Sequence, residues 1–179
     1  MENRVDKAER LFKEGYNCAQ AVFVAFSDLY GIDEKTALRM SCSFGAGMGR
    51  MREVCGAVSG MALIAGLENG IIDGKDIKGK KENYDLVNQM AEEFKKINGT
   101  IICRELLGMQ QIKSNKVDTM PATRNDEYYK TRPCLRHVKE CATIIDKYII
   151  KNSHKINRKV EFLQVSNPAH VTKVVDMAD

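Results

Sequence analysis

Apolar residues recur at spacings of three and four through most of the first 150 positions, the period of helices with one buried face. Ala8, Leu11 and Phe12 share a face in a helix predicted over Asp6 to Lys13 and stopped by Gly15. Asn17 is placed to cap a second, Cys18 to Leu29, with Ala21, Val22, Ala25, Phe26 and Leu29 inward. Asp33 caps a third, short helix through Ala37, Leu38 and Met40 that ends near Cys42. Cys55 to Leu67 is almost wholly apolar or small, as expected of a helix buried on most sides. Gly56 and Gly60 lie four apart on it, and each costs about 1 kcal/mol of helix propensity against alanine, so close approach of another backbone is expected there. A long amphipathic helix follows from Lys80 to Ile97, turning Tyr84, Val87, Met90, Ala91 and Phe94 inward before Asn98-Gly99 ends it. Cys103 to Gly108 reads as a turn or two of helix. Pro133 opens the last strong helix, which runs to about Ile150 through Leu135, Val138, Cys141, Ile144, Ile145 and Tyr148.

Between these elements, Gly45, Gly47 and Gly49 are suited to backbone angles closed to other residues, and the polar stretch from Met109 to Asn125 reads as a mobile loop. Beyond Lys151 the pattern changes: Val160 to Val165 suits a short strand and Asn167-Pro168 the start of a helical turn. Few other segments look like strands. The expectation is an all-α bundle of about five to seven helices, with a glycine-rich loop before a buried helix. Residues 1–150 form its domain and 151–179 a C-terminal extension that the pattern does not define.

Composition narrows the function. The 179 residues are 44% hydrophobic and 29% charged with a net charge of +4, and lysines and glutamates are interspersed rather than blocked. That is a solvated surface, not a nucleic-acid groove. No apolar run of about 18 residues and no charged start with an apolar signal core is seen, so a cytoplasmic protein is expected. Six cysteines in a reducing compartment point to redox chemistry or metal binding rather than a static disulfide framework.

Four of the six fall at predicted helix beginnings: Cys18, Cys55, Cys103 and Cys134. Unpaired backbone N–H groups and the positive end of the helix dipole favour thiolate there, so four helices can present thiolates to a common point. Arg50 and Arg52 add positive charge near Cys55, which is therefore expected to be the most activated, with a lowered pKa. Cys42 and Cys141 read as structural. Cys134 and Cys141 share a face but lie roughly 10 Å apart along it, beyond disulfide reach. No CxxC, CxxCH or HExxH spacing is present, so any metal site must be assembled from distant segments. His137, three residues after Cys134, suits a base, a ligand or a surface histidine; His154 and His170 read as incidental. The run Gly45-Ala-Gly47-Met-Gly49-Arg50 lacks the preceding strand, phosphate lysine and third glycine of a nucleotide loop.

Cys55-Gly-Ala-Val-Ser-Gly60 resembles the CGAxxG signature of the C_GCAxxG_C_C family of redox-active proteins. Asn17-Cys18-Ala19-Gln20-Ala21 resembles its first cysteine segment, Phe44 to Gly49 its glycine loop, Cys103-Arg-Glu-Leu-Leu-Gly108 its third cysteine and Cys134 its fourth. The resemblance, over roughly residues 5 to 150, implies a small helical redox protein of bacterial or archaeal type, often encoded near transporters, and keeps an iron–sulfur cluster in view. Three readings stand open. In the first, Cys55 attacks a disulfide or oxidised substrate from a redox partner and Cys18, Cys103 or Cys134 resolves the mixed disulfide. In the second, the same four cysteines ligate an iron–sulfur cluster or zinc. In the third, the protein is an interaction partner of a membrane transporter, or a homodimer through the apolar Met61 to Leu67, and its cysteines only pack.

Overall fold

Cys18 to Ser27 forms the axis of the molecule because every residue of it but Gln20 is buried. The computed structural model describes residues 2–109 and 118–150, and the expected strand and turn after Lys151, with His154 and His170, lie outside them. Within the described residues the protein is an all-α bundle of eight helices, six of them seven residues or longer. They are α1 (Arg4–Lys13), α2 (Cys18–Ser27), α3 (Glu34–Cys42), α4 (Gly56–Asn69), α5 (Ile77–Asn98), α6 (Cys103–Leu106), α7 (Asp126–Thr131) and α8 (Cys134–Ile145). The last continues as a π-helical stretch, Asp146–Ile150.

Helix α2 packs against α1, α3, α4 and α8, and its start is fixed by a reciprocal cap. The Asn17 side chain accepts from the backbone of Ala19 and Gln20, and the Gln20 side chain accepts from the backbone of Asn17. The close approach expected at the CGAxxG glycines is between α4 and α2. A Cβ on Gly60 would stand 2.8 Å from the Ala19 carbonyl oxygen, and one on Gly56 would stand 2.5 Å from the Cys18 sulfur and 2.9 Å from the Phe44 carbonyl oxygen. The second glycine thus sets the helix spacing, while the first makes room for a thiol.

Three expectations of the hydrophobic pattern are corrected. Helix α4 is buried along Ala57, Val58, Met61, Ile64 and Ala65, but Gly66 is exposed and Leu63 and Leu67 line an open apolar groove. In α5, Met90, Ala91 and Phe94 are buried as expected, whereas Tyr84 faces solvent. Asn83, one position earlier, takes the inner place by donating to the Ala65 carbonyl and the Asn69 side chain. Leu29 is exposed because a 3-10 turn, Asp28–Tyr30, ends α2 before it. Among the described residues no helix is long and apolar enough to cross a membrane.

Candidate redox site at a four-cysteine cavity

Among the described residues, β-pairing in the site's scaffold is a single antiparallel bridge, Val54 with Ile102. The Cys55 N–H donates to the Ile101 carbonyl (2.8 Å), the Cys103 N–H to the Glu53 carbonyl (2.6 Å) and the Arg104 N–H to the Arg52 carbonyl (3.0 Å). Residues 48 positions apart thereby start two helices side by side, Cys55 immediately before α4 and Cys103 at the head of α6. Asn17 and Pro133 place Cys18 and Cys134 at the heads of α2 and α8.

The glycine loop closes the site through an unusual backbone. Ala46, Gly47, Met48, Gly49 and Arg50 all have positive φ, and Arg52 has φ +63. Each non-glycine residue in this region costs roughly 1–2 kcal/mol, so the conformation must be fixed by its surroundings. The Gly49 N–H donates to the Ser43 carbonyl (2.8 Å) and the Glu53 N–H to the Gly47 carbonyl (3.1 Å). A Cβ on Gly47 would meet the Arg52 Cα, the Glu53 nitrogen and the Cys103 Cβ, each at 2.8 Å. Gly45 has no positive φ, contrary to expectation; it is required for space, since a Cβ there would stand 2.5 Å from the Asn17 Cγ.

The consequence is one small cavity of about 60 Å³ whose wall includes all four cysteines at helix heads: Cys18, Cys55, Cys103 and Cys134. Asn17, Arg52, Arg124, Arg132, Tyr128 and His137 complete its polar lining. Such a volume admits several water-sized groups. Cys18, Cys55 and Cys103 are buried and Cys134 is half-buried, and all six cysteines are free thiols. Cys18 is central: among the thiols, its charge is the one felt most by Cys55, Cys103 and Cys134.

Burial governs the chemistry of these thiols. It pushes Cys55 well above the usual thiol range, with repulsion from Cys18 adding to it; the N–H groups of Ala57 and Val58 pull down but do not prevail. The expectation of a lowered pKa at Cys55 is therefore reversed. Arg50 does not assist it, because its side chain turns outward to the Asp118 carbonyl (2.8 Å) and carboxylate (3.0 Å). Arg52 is buried, but the thiol it pulls down is Cys103, where burial still wins. Burial, with repulsion from Cys18 and Cys103, pushes Cys134 up to about 12. Cys55, Cys103 and Cys134 thus rest protonated where their position alone favours thiolate.

His137 is no surface residue. It is 2% exposed, packs edge-to-face on Phe94 (5.4 Å between ring centres), and leaves its Nε2 without a hydrogen-bond partner. Burial, with Arg136 adding to it, lowers its pKa to about 4, so it is neutral at pH 7. Cys141 is wholly buried in the core, as a structural thiol should be, whereas Cys42 is exposed and lines the groove outside the cavity. Sequence reasoning missed Arg124, Tyr128 and Arg132. The guanidinium of Arg124 lies 4.3 Å from the Phe12 ring centre and 4.8 Å from that of Tyr128, and donates to the Phe12 and Tyr16 carbonyls at 3.1 and 3.2 Å. The segment 118–125 that carries it is thus tied down at both ends, by Asp118 and by Arg124.

Thiolate donors suit iron–sulfur clusters and zinc. As arranged, however, the four sulfurs do not make a cage: among the described residues no group of three or more His, Cys, Asp or Glu side chains is set to hold a metal ion. No curated protein and no solved structure matches the chain significantly. A family profile described as "Putative redox-active protein (C_GCAxxG_C_C)" matches residues 16–148, a span that contains the whole cavity wall except Phe12. With its CGAxxG segment seating one thiol behind another and its four cysteines on one cavity, the chain belongs to the C_GCAxxG_C_C family of redox-active proteins.

Proposed function

We propose that the protein exchanges two electrons with a small disulfide through the four-cysteine cavity. The observation that carries this reading is the meeting of four free thiols from four helices on one wall. Cys134, the most accessible of the four, makes the attack; Cys18, central to the group, resolves it. Cys134 gives its proton to solvent and its sulfur bonds to one sulfur of the substrate, whose other half leaves as a thiolate and takes up a proton. Cys18 then loses its proton and attacks the Cys134 sulfur, which releases the second half as a thiol. Two protein thiols become one disulfide and one substrate disulfide becomes two thiols, so two electrons and two protons balance. An external dithiol reverses the protein half.

His137, neutral at pH 7, belongs to the cavity wall and adds no positive charge to it. The assignment is tested by trapping. Cys134→Ser abolishes the reaction, and Cys18→Ser stops it at a mixed disulfide on Cys134 that intact-mass spectrometry detects. Full turnover by Cys134→Ser would contradict the assignment.

A further inference from the structure

We propose that the groove leading to the cysteines is an anion-binding site and that the substrate is a small molecule bearing a carboxylate or sulfonate, held by Arg52, Arg124 and Arg132. This rests on the thiol reading only for what the anion meets. The cavity opens into an outer groove of about 390 Å³, and the two share Asn17, Ala46, Arg52, Arg124, Tyr128 and Arg132. Neither lining contains an aspartate or glutamate.

Arg50, at the rim, is answered by Asp118. The other three have no carboxylate partner among the described residues, although ion pairs are plentiful elsewhere on the surface. Arg124 and Arg132 lie against aromatic rings, Arg132 at 5.1 Å from the centre of Tyr128, which orients the guanidinium groups without neutralising them. Arg52 is 6% exposed. A buried guanidinium keeps its proton, and leaving it without a counter-charge is costly. Cys55, Cys103 and Cys134 do not supply that charge, because burial pushes each of them up. The long helices α2, α4 and α8 add their positive ends to the same wall. An oxyanion supplies what is missing, and guanidinium groups match carboxylates and other oxyanions in paired geometry.

Size argues for a small molecule. The outer groove is on the scale of small-ligand sites, while the inner cavity has room only for a reacting end. The cations also converge on one opening, whereas a nucleic-acid chain needs a track of them.

Iodoacetate and iodoacetamide react at the same carbon and differ in charge, so their rate ratio at Cys134, read by peptide mass spectrometry, reports anion selection whether or not the protein turns over a disulfide. Relative to the same ratio for free cysteine, the folded protein at low salt should favour iodoacetate by roughly tenfold, the lower end of electrostatic focusing in clefts. Arg132→Gln should return the ratio to the free-cysteine value and Arg132→Lys should keep most of the preference. Should Arg132→Gln not fold, inorganic sulfate added to the native protein must slow iodoacetate more than iodoacetamide. A free-cysteine ratio in the native protein overturns the anion site, even if the Cys134→Ser and Cys18→Ser results stand. Failure of those variants with the preference intact overturns the thiol mechanism alone.

Discussion

Cys134 is expected to attack a small neutral disulfide about 50-fold more slowly at pH 7 than free cysteine does, before any loss from restricted access. Its pKa, pushed from the ordinary 9.0 to about 12, lowers the thiolate fraction at pH 7 about a thousandfold. The thiolate that does form is intrinsically more nucleophilic, and a Brønsted slope of about 0.4–0.5 returns roughly 20-fold of the loss. The sign of the pH dependence follows: the rate at Cys134 climbs tenfold per unit through pH 9–11, where that of free cysteine levels off. Time courses across this range, resolved by peptide, measure it. Equality with free cysteine at pH 7 would mean that the guanidinium groups of Arg124 and Arg132, which pull the thiol down, outweigh burial. Slow reaction at rest accords with a thiol held back by burial in the cavity wall.

Acid is expected to remove about 3 kcal/mol of stability through His137 alone. Its folded-state pKa of about 4 lies below the usual value of 6.5, so between these limits the unfolded chain binds a proton that the native one refuses. The contribution is full above pH 6.5 and is lost as pH falls to about 4; two and a half units at 1.36 kcal/mol each give the magnitude. The surroundings offer no relief, since Phe94 covers the ring, Arg136 is cationic and the cavity has no carboxylate. Urea unfolding at pH 7 and pH 4 tests this. His137→Leu should lose less stability over that interval than the native protein by about the same 3 kcal/mol, while acid effects on carboxylates such as Glu9 and Glu93 are common to both. Parallel losses would place the histidine in contact with water.

Most of the bundle is legible in the chain because its devices are local. Asn17, Asp33, Gly99 and Pro133 mark helix ends where the structure has them, and the spacing of Gly56 and Gly60 announces the contact with α2. The four helix-head cysteines are legible for the same reason, and they do share one cavity. Helix α7 escapes notice: Asn125 caps it and Asp126 and Glu127 fill its first turn, but six residues show no apolar period. The protonation of Cys55, Cys103 and Cys134 also escapes, because a helix head and nearby arginines can be read locally, whereas burial is set by Phe12 of α1, by Leu106 and Leu107 and by the 118–132 segment together. Arg52 illustrates the limit. Its sequence places it beside Cys55, yet a left-handed backbone and the Val54–Ile102 bridge put its charge on Cys103.

The most direct measurement is a disulfide map of fully reduced protein oxidised with one equivalent of a small disulfide. A shared redox cavity predicts an intramolecular bond between two of Cys18, Cys55, Cys103 and Cys134, with Cys42 and Cys141 still reduced. Oxidation confined to Cys42, or bonds only between molecules with the four cavity thiols intact, would contradict it.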